Sequence, residues 1–186
     1  MPNWCNNTIT LKHENPEMIA RAKAAFEKGE LFQEFVPCPQ ELIDTSAGWQ
    51  DELEEQEKAN VEKYGYRHWY DFCVSEWGTK WDINGGDISV DPDGKSASGF
   101  FDTAWGPATE AYEKMYTLGF DIDVLYHEPG MCFAGHFYDG EDYCVEYNFE
   151  DEDWRDHIGD EDILDLLESE YESWKEYQEL NEEETE

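Results

Sequence analysis

The sequence is poor in basic residues. It has 12 Lys and Arg against 47 Asp and Glu in 186 residues, which gives a formal net charge of -35. Proteins that bind nucleic acid directly need Lys and Arg to neutralise phosphates, so the composition disfavours that class. Repulsion among so many like charges lowers the stability of a compact state, which indicates that the acidity serves a use or suits an unusual solvent.

Membrane, targeting and catalytic signatures are also missing. No stretch approaches the roughly 18 consecutive apolar residues that a membrane span needs, and the start of the chain lacks a basic and then apolar leader. We therefore expect a cytoplasmic protein with no membrane contact. The sequence contains no P-loop, dinucleotide fingerprint, nucleophile elbow or paired-histidine zinc motif. We assign no catalytic residue, cofactor or metal ligand, and we do not expect an enzyme.

The cysteines lack the spacing of a zinc or redox motif. Their number is odd, they are far apart, and no CxxC pair occurs, which favours free buried thiols over disulfides or a metal site. The five are Cys5, Cys38, Cys73, Cys132 and Cys144.

Aromatic residues are plentiful. The chain has 8 Trp, 10 Phe and 11 Tyr, which is too many for a disordered chain despite its charge. Alternation predicts a strand at 4–11, and the Asn-Pro-Glu start predicts a helix from residue 16 to near Gly29. Pro37 and Pro39 favour an extended loop over 31–43, and the polar run at 49–64 predicts an exposed helix.

The rest of the first 150 residues predicts a strand-rich pattern. A hairpin joins strands at 88–90 and 98–103 through the turn 91–94, and a helix follows at 108–118. Three strand-like runs come next, at 122–126, 131–137 and 143–149. We therefore predict an α+β fold, with helices packed on one face of an antiparallel sheet and an additional acidic C-terminal helix.

Four motifs carry a resemblance to a known family. They are Pro2-Asn3-Trp4-Cys5-Asn6-Asn7, Trp77-Gly78-Thr79-Lys80-Trp81, Phe101-Asp102-Thr103-Ala104-Trp105-Gly106-Pro107, and Tyr126-His127-Glu128-Pro129-Gly130 followed by Gly135. Over about residues 1–150 the chain resembles the Api92-like or YubB-type family of phage and plasmid proteins. The resemblance implies a ferredoxin-like domain and a mobile-element origin, and it implies no activity. Ala108 stands where a second proline often follows Pro107 in that family pattern.

The acidic segment at 151–186 lies outside this resemblance. It holds 17 acidic and 2 basic residues, whereas 1–150 holds 30 acidic and 10 basic. Steps of three or four predict an amphipathic helix at about 163–181. Its apolar seam is Ile163, Leu167, Tyr171, Trp174, Tyr177 and Leu180, and its acidic stripe is Glu161, Asp165, Glu168, Glu172, Glu176, Glu179 and Glu183. Repulsion along the stripe costs roughly 1 to 3 kcal/mol, so the seam must dock on the body or on a second copy, as in a homodimer.

The acidic segment supplies the candidate partner-binding residues. They are Asp151, Glu152, Asp153, Asp156, Asp160, Glu161, Asp162, Asp165, Glu168, Glu172, Glu176 and Glu179. A net of 35 charges corresponds to about 60 Å, or roughly 17 base pairs, of duplex DNA. We therefore predict a phage-type DNA mimic that blocks the basic groove of a host defence enzyme of the restriction or nuclease type.

Three other interpretations of the acidity remain open. The stripe is a solvated helix face that keeps the protein soluble, or the apolar seam recruits a partner as an adaptor, or the protein is adapted to high salt.

Smaller features favour structural roles. Asp91-Pro92-Asp93-Gly94 predicts a turn, because aligning Gly94 to a calcium-loop glycine puts Phe100 where a glutamate ligand belongs. His127 and His136 favour structural or surface positions over a metal pair. The Trp77, Trp81 and Trp105 set around Lys80 could stack a base or sugar, but core packing is the favoured interpretation.

Overall fold

The computed structural model describes residues 2–47 and 54–183, the last three by their backbone alone. The strands are β1 (Trp4–Lys12), β2 (Asn84–Val90), β3 (Ser96–Ala104), β4 (Asp121–Glu128), β5 (Phe133–Tyr138) and β6 (Glu141–Glu146). The helices are α1 (Pro16–Phe26), α2 (Leu31–Phe35), α3 (Gln40–Ile43), α4 (Glu54–Tyr64), α5 (Trp69–Glu76), α6 (Thr109–Thr117) and α7 (Glu161–Glu183), with a 3₁₀ helix at Trp154–His157. None of the helices in the described ranges has the length and apolar character to span a bilayer.

The six strands form one antiparallel sheet in the order β2-β3-β1-β4-β5-β6. β1 pairs with β3 from Trp4 opposite Ala104 to Lys12 opposite Ser96, and its other edge pairs with β4. The succession β1, α1, β2, β3, α6, β4 with this strand order is the ferredoxin-like split βαβ arrangement. The hairpin of β5 and β6 extends the sheet beyond β4. The predicted α+β class with an antiparallel sheet is confirmed.

One face of the sheet is closed by α1, α2 and α6. Alternate residues of each strand point to the same face, so the strands present every second side chain to these helices. The buried set includes Ile9, Leu11, Ile122 and Val124 from the strands and Ile19, Phe32, Tyr112 and Met115 from the helices. Burying each large apolar side chain stabilises the fold by about 1.5 to 3 kcal/mol, so this face supplies the main core.

The opposite face is covered by α7 over β4, β5 and β6. Leu125 and Ala134 point to this side and pack in one cluster with Ile163 and Leu167 of α7. The cover is partial, because Phe100 on β3 is 60% exposed. The predicted acidic C-terminal helix is confirmed, and it docks on the sheet of its own chain.

The extended loop predicted at 31–43 is wrong, because α2 and α3 lie there. The carboxylate of Asp82 accepts hydrogen bonds from the backbone N–H groups of Phe32 at 3.0 Å and Gln33 at 2.8 Å, which caps the start of α2 from a distant segment. Pro39 sits at the N-cap of α3, where a proline does not interrupt the helix. Local sequence contains no sign of the Asp82 cap.

Other elements differ from the expectations mainly at their ends. The polar helix expected at 49–64 is seen as α4 from Glu54, and 49–53 lie outside the described residues. The turn 91–94 is confirmed by a hydrogen bond from Gly94 N–H to the Asp91 carbonyl. The last strand stops at Glu146 instead of 149, and Tyr147 and Phe149 pack in the cluster under α7.

Candidate functional site

Helix α7 begins with a side-chain cap. Asp160 precedes it, and its Oδ1 accepts a hydrogen bond from the Ile163 N–H at 3.0 Å. A carboxylate at this end satisfies an otherwise free backbone donor and complements the positive end of the helix dipole. The helix runs over 23 residues and extends past the predicted 163–181 at both ends.

The apolar seam of α7 docks over only part of its length. Ile163 and Leu167 are fully buried, and Tyr171 stacks on Trp174 with ring centroids 5.8 Å apart. Further along the helix, Tyr177 is 63% exposed and Leu180 is 62% exposed. The seam is therefore used for internal packing in its first half and is open to solvent in its last described turns.

An ion pair fixes the docked half of α7. Arg155 donates from Nε to Glu168 Oε1 at 2.5 Å and from Nη2 to Oε2 at 2.9 Å. The Arg155 guanidinium also lies 4.3 Å from the Trp154 ring centroid and 4.8 Å from that of Tyr171. The Arg155 hydrogen bond lowers the pKa of Glu168. Sequence reasoning did not identify Arg155 as a site residue, although it is one of only two basic residues after position 150.

Ten of the twelve predicted carboxylates are exposed. Asp160 and Glu168 are half-buried and engaged within the molecule, so they are less available to a partner. The exposed ones are Asp151, Glu152, Asp153, Asp156, Glu161, Asp162, Asp165, Glu172, Glu176 and Glu179. Of these, Glu172 pairs with Lys175 at 2.7 Å. Exposed carboxylates accept hydrogen bonds and pair with Lys and Arg, which is the chemistry this surface offers.

The linear charge of α7 resembles that of a nucleic-acid strand. The helix carries ten Asp and Glu in 23 residues. At a rise of about 1.5 Å per residue, this is one carboxylate for about every 3.5 Å of length. One strand of duplex DNA carries one phosphate for about every 3.4 Å of axis. Counted over all sides of the helix, the carboxylates of α7 therefore match the phosphates of a single strand in number per unit length.

A histidine on β5 links the sheet to the start of α7. His136 Nδ1 lies 2.9 Å from Asp160 Oδ2, and His136 Nε2 lies 3.0 Å from Asp123 Oδ1 on β4. Burial disfavours the charged ring, but the hydrogen bonds to Asp160 and Asp123 outweigh burial, so the pKa of His136 lies above its usual value. The sequence placed His136 only as a structural or surface residue and did not indicate its carboxylate partners.

The same histidine belongs to a group with spacing that would suit a metal ion. Ligand atoms of His136, Asp160 and Asp162 lie within 4.8 Å of one another, the one such group among the described residues. Both ring nitrogens already face carboxylates at hydrogen-bond distance. Two carboxylates around one imidazole match a doubly protonated ring, which donates from both nitrogens and has no lone pair for a metal.

His127 does not lie opposite His136 in the sheet. His127 pairs with Ala134, and His136 pairs with Leu125. The Nε2 atom of His127 lies 2.6 Å from the Tyr147 hydroxyl, and burial lowers the pKa of the histidine. A buried, uncharged histidine with a tyrosine partner fits the structural role expected of it.

The motif residues that carry the family resemblance make structural contacts. Trp77 is buried, and its Nε1 donates to the Val36 carbonyl at 2.8 Å. The amide of Asn7 donates to Thr103 Oγ1 at 2.9 Å and accepts from the Tyr112 hydroxyl at 2.9 Å. These contacts tie β1, β3 and α6 together and require no ligand.

The core position expected for all three tryptophans is right for Trp77 and wrong for the other two. Trp81 is 39% exposed and Trp105 is 56% exposed. Lys80 Nζ lies 4.3 Å from the Trp81 ring centroid, which is a cation–π contact with this indole. Trp105 has a φ of 75°, in the left-handed region, at the turn that follows β3.

The buried position expected for the cysteines holds for three of the five. Cys5, Cys38 and Cys73 are buried, and burial raises the pKa of Cys5 to about 12. Cys132 and Cys144 are exposed, which corrects that expectation. Cys132 has a φ of 56° in the connection between β4 and β5, and its thiol lies 3.5 Å from the Pro129 carbonyl oxygen.

Fold and surface together define an α+β protein with a ferredoxin-like sheet and an externally acidic C-terminal helix. No protein-family model and no curated protein matches the chain. Among solved structures it is similar to the crystal structure of a protein api92 from Yersinia pseudotuberculosis, with 10% identity and a TM-score of 0.42. The match covers 80% of this chain and 99% of that one. At this level the likeness carries no conclusion about family, origin or function.

Proposed function

We propose that the protein is a non-enzymatic mimic of DNA. In this proposal it occupies the basic nucleic-acid groove of a host DNA-binding protein and inhibits it by occlusion. A restriction or nuclease-type defence enzyme is the target class that suits a phage or plasmid origin, which the motif resemblance implies. No bond is made or broken in the inhibition.

The observation that carries the proposal is the docking of α7 on the sheet. Its first turns bury Ile163 and Leu167 against the sheet, so the helix is held on the body with its carboxylates outward. Exposed acids recur along the helix at Asp165, Glu172 and Glu176. Exposed carboxylates on a docked helix give a basic groove a rigid surface, which costs less ordering entropy than a disordered acidic tail.

The acidity of the body supports the same proposal. Residues 1–150 carry 30 acidic against 10 basic residues, so a partner approaching α7 meets a negative field from the body as well. Complementary fields steer association and make it fast and dependent on salt. We expect an association rate that falls steeply as ionic strength rises, because exposed charges are screened over about 10 Å at 0.1 M salt.

The test is capture on the immobilised chain followed by elution with duplex DNA. Lysate proteins are bound at low salt and eluted with increasing duplex at moderate salt, and the eluate is identified by mass spectrometry. We expect a DNA-binding enzyme that the duplex displaces. Captured proteins that remain bound at every duplex concentration would contradict mimicry.

A pair of charge-reversal variants separates the helix from net charge. The stripe variant carries Asp165→Lys, Glu176→Lys and Glu179→Lys, and the body variant carries Glu55→Lys, Glu62→Lys and Glu113→Lys. All six carboxylates are exposed, and none forms an ion pair within the described residues. Both variants change the net charge equally. We expect loss of capture only in the stripe variant, and equal loss in both would assign binding to overall charge.

A second candidate function is that of an adaptor. Tyr177 and Leu180 continue the apolar seam beyond the docked half of α7 and are largely exposed. A partner that binds this end would depend on apolar contact and tolerate salt. Capture abolished by Tyr177→Ser and Leu180→Ser, but unaffected by duplex and by the stripe variant, would favour the adaptor over the mimic.

A further inference from the structure

We propose that His136 is a proton-operated clasp, in which the imidazolium ties β4 and β5 to the first turn of α7 and loss of its proton loosens the acidic helix. The clasp would set the pH range in which α7 is held in place. Its regulatory meaning rests on the proposed function, because α7 carries the carboxylates that would meet the partner. The clasp itself is a property of the free chain.

The geometry requires two donors on one ring. His136 Nδ1 lies 2.9 Å from Asp160 Oδ2 and Nε2 lies 3.0 Å from Asp123 Oδ1. A neutral imidazole has one N–H and one lone pair, so in that state one carboxylate would face a lone pair. Only the doubly protonated ring satisfies both carboxylates. The side chains of His136 and Asp160 are 10% and 26% exposed, so water has little access to their bond, whereas Asp123 is 45% exposed.

The surroundings of His136 are uniformly acidic or neutral. The titratable groups that face it are Asp123 from β4, Asp160 from the cap before α7, Asp162 and Asp165 from α7, Tyr138 from β5 and Tyr143 from β6. Thr8 and Thr10 of β1 line the open side. Nearby carboxylates favour the charged imidazolium, and the field of a chain with a net charge of -35 acts in the same direction.

The position of Asp160 connects the ring to the helix. One carboxylate oxygen of Asp160 caps α7 through the Ile163 N–H, and the other accepts from His136. Deprotonation of His136 therefore acts on the residue that starts the helix. The remaining anchors are the Ile163 and Leu167 contacts and the Arg155–Glu168 pair, which lie further along α7. The first turn is where the docked helix would open.

The direction of the pH effect follows from the raised pKa of the His136 imidazole. Stability contributed by the clasp is fully present below about pH 6.5, where the imidazole is charged even when unfolded, and is lost as pH rises through the higher folded-state pKa. Burial lowers the pKa of His127, so His127 is already neutral where His136 loses its proton. A loosening of α7 above neutral pH would therefore not come from His127.

The test is hydrogen exchange of the full chain, in the presence of a chelator, at about pH 6 and about pH 8.5. After correction for intrinsic exchange rates, we expect protection of the α7 amides to fall about tenfold or more between the two, because one charged hydrogen bond is lost and the other is left with a neutral donor. The amides of β1 serve as the internal reference and should change little. Equal protection of α7 at both pH values would overturn the proposal.

Three variants complete the test. His136→Gln should make α7 as loose at the lower pH as the wild type is at the higher. The matched control His157→Gln alters a histidine of the same segment whose side chain is 71% exposed, and it should keep the wild-type response. Asp160→Asn retains a capping oxygen but removes the charge, so it should weaken the response even if His136→Gln fails to fold.

Two further outcomes would contradict the clasp. A pH response that persists in both His136→Gln and Asp160→Asn would place the titrating group elsewhere. Protection at the higher pH that is restored by added Zn²⁺ in the wild type, but not in His136→Gln, would assign a metal site instead of a proton. The experiment contains no partner, so failure to capture a DNA-binding protein leaves its result unaffected.

Discussion

The two faces of the sheet are held in different ways. The face covered by α1, α2 and α6 encloses a large apolar cluster that includes Phe101 and Tyr112. The face under α7 encloses a small cluster around Trp154, Ile163 and Leu167, supplemented by the Arg155–Glu168 pair and the His136 contacts. Hydrophobic burial does not depend on pH or salt as ion pairs do, so the first face sets the stability of the fold and the second sets the position of α7.

This difference indicates where an acidic protein can place an interaction surface. Charge repulsion opposes folding throughout the molecule, and the large core offsets it. The carboxylate-rich helix is added on the other face and contributes little to the main core. Changes in α7 should therefore alter partner binding while the body remains folded, and changes in the main core should affect both.

The largest expected effect comes from Phe101→Ala. Phe101 is 1% exposed and lies edge-on to Phe26 and Phe32, so its removal leaves a cavity in the main core. We expect a loss of about 3 to 5 kcal/mol in the free energy of unfolding, measured by urea denaturation. The matched control is the neighbouring Phe100→Ala on the other face, which is 60% exposed and should cost well under half of this. Equal costs would remove the contrast between the faces.

A smaller and more local effect is expected from Leu167→Ala. Leu167 is fully buried beneath α7, and its truncation should weaken docking by about 2 to 3 kcal/mol. Limited proteolysis should then cleave α7 early while the body stays resistant. Leu180→Ala, on the same seam but 62% exposed, should behave like the wild type. Loss of the whole fold in Leu167→Ala would show that the two faces are not separable in stability.

The docking of α7 should weaken both at low pH and at high pH. The pKa of Glu168 is lowered by Arg155, so the stability from this pair is present above about pH 4.3 and is lost as pH falls through the lower folded-state value. The His136 contribution is lost in the other direction, above about pH 6.5. Hydrogen exchange of the α7 amides across this range, corrected for intrinsic rates, should report tightest docking between these limits. Glu168→Gln should remove only the pH dependence of docking at low pH. If docking in this variant still weakens at low pH as in the wild type, the Arg155–Glu168 pair is not the cause.

The smallest expected effect is a gain in helix stability. Glu172, Glu176 and Glu179 follow one another at steps of four and three on α7. Neutralising Glu176 to Gln removes like-charge repulsion with both neighbours, worth about 0.2 to 0.5 kcal/mol per pair. Helix content measured by circular dichroism at low salt should rise slightly, and the difference should disappear at high salt. A clear loss of helix content would mean that Glu176 makes a stabilising contact.

The sequence was informative where local pattern determines structure. Alternation in β1, the capped start of α1 and the apolar steps of α7 each predicted an element that is present. The Asp82 cap of α2 and the carboxylates around His136 could not be predicted, because their partners are brought together only by the fold. Division of the chain at residue 150, the DNA-mimic function and the partner-binding roles of the carboxylates stay predictions.

The most direct test of occlusion is an equilibrium competition. The enzyme captured on the immobilised chain is bound to a labelled duplex, and the free chain is titrated in while fluorescence anisotropy reports the bound duplex. We expect complete displacement at one chain per groove, weakened by higher salt and lost in the stripe variant. A ternary complex, with the chain bound and the duplex still in place, would contradict the claim that the acidic helix occupies the position of DNA.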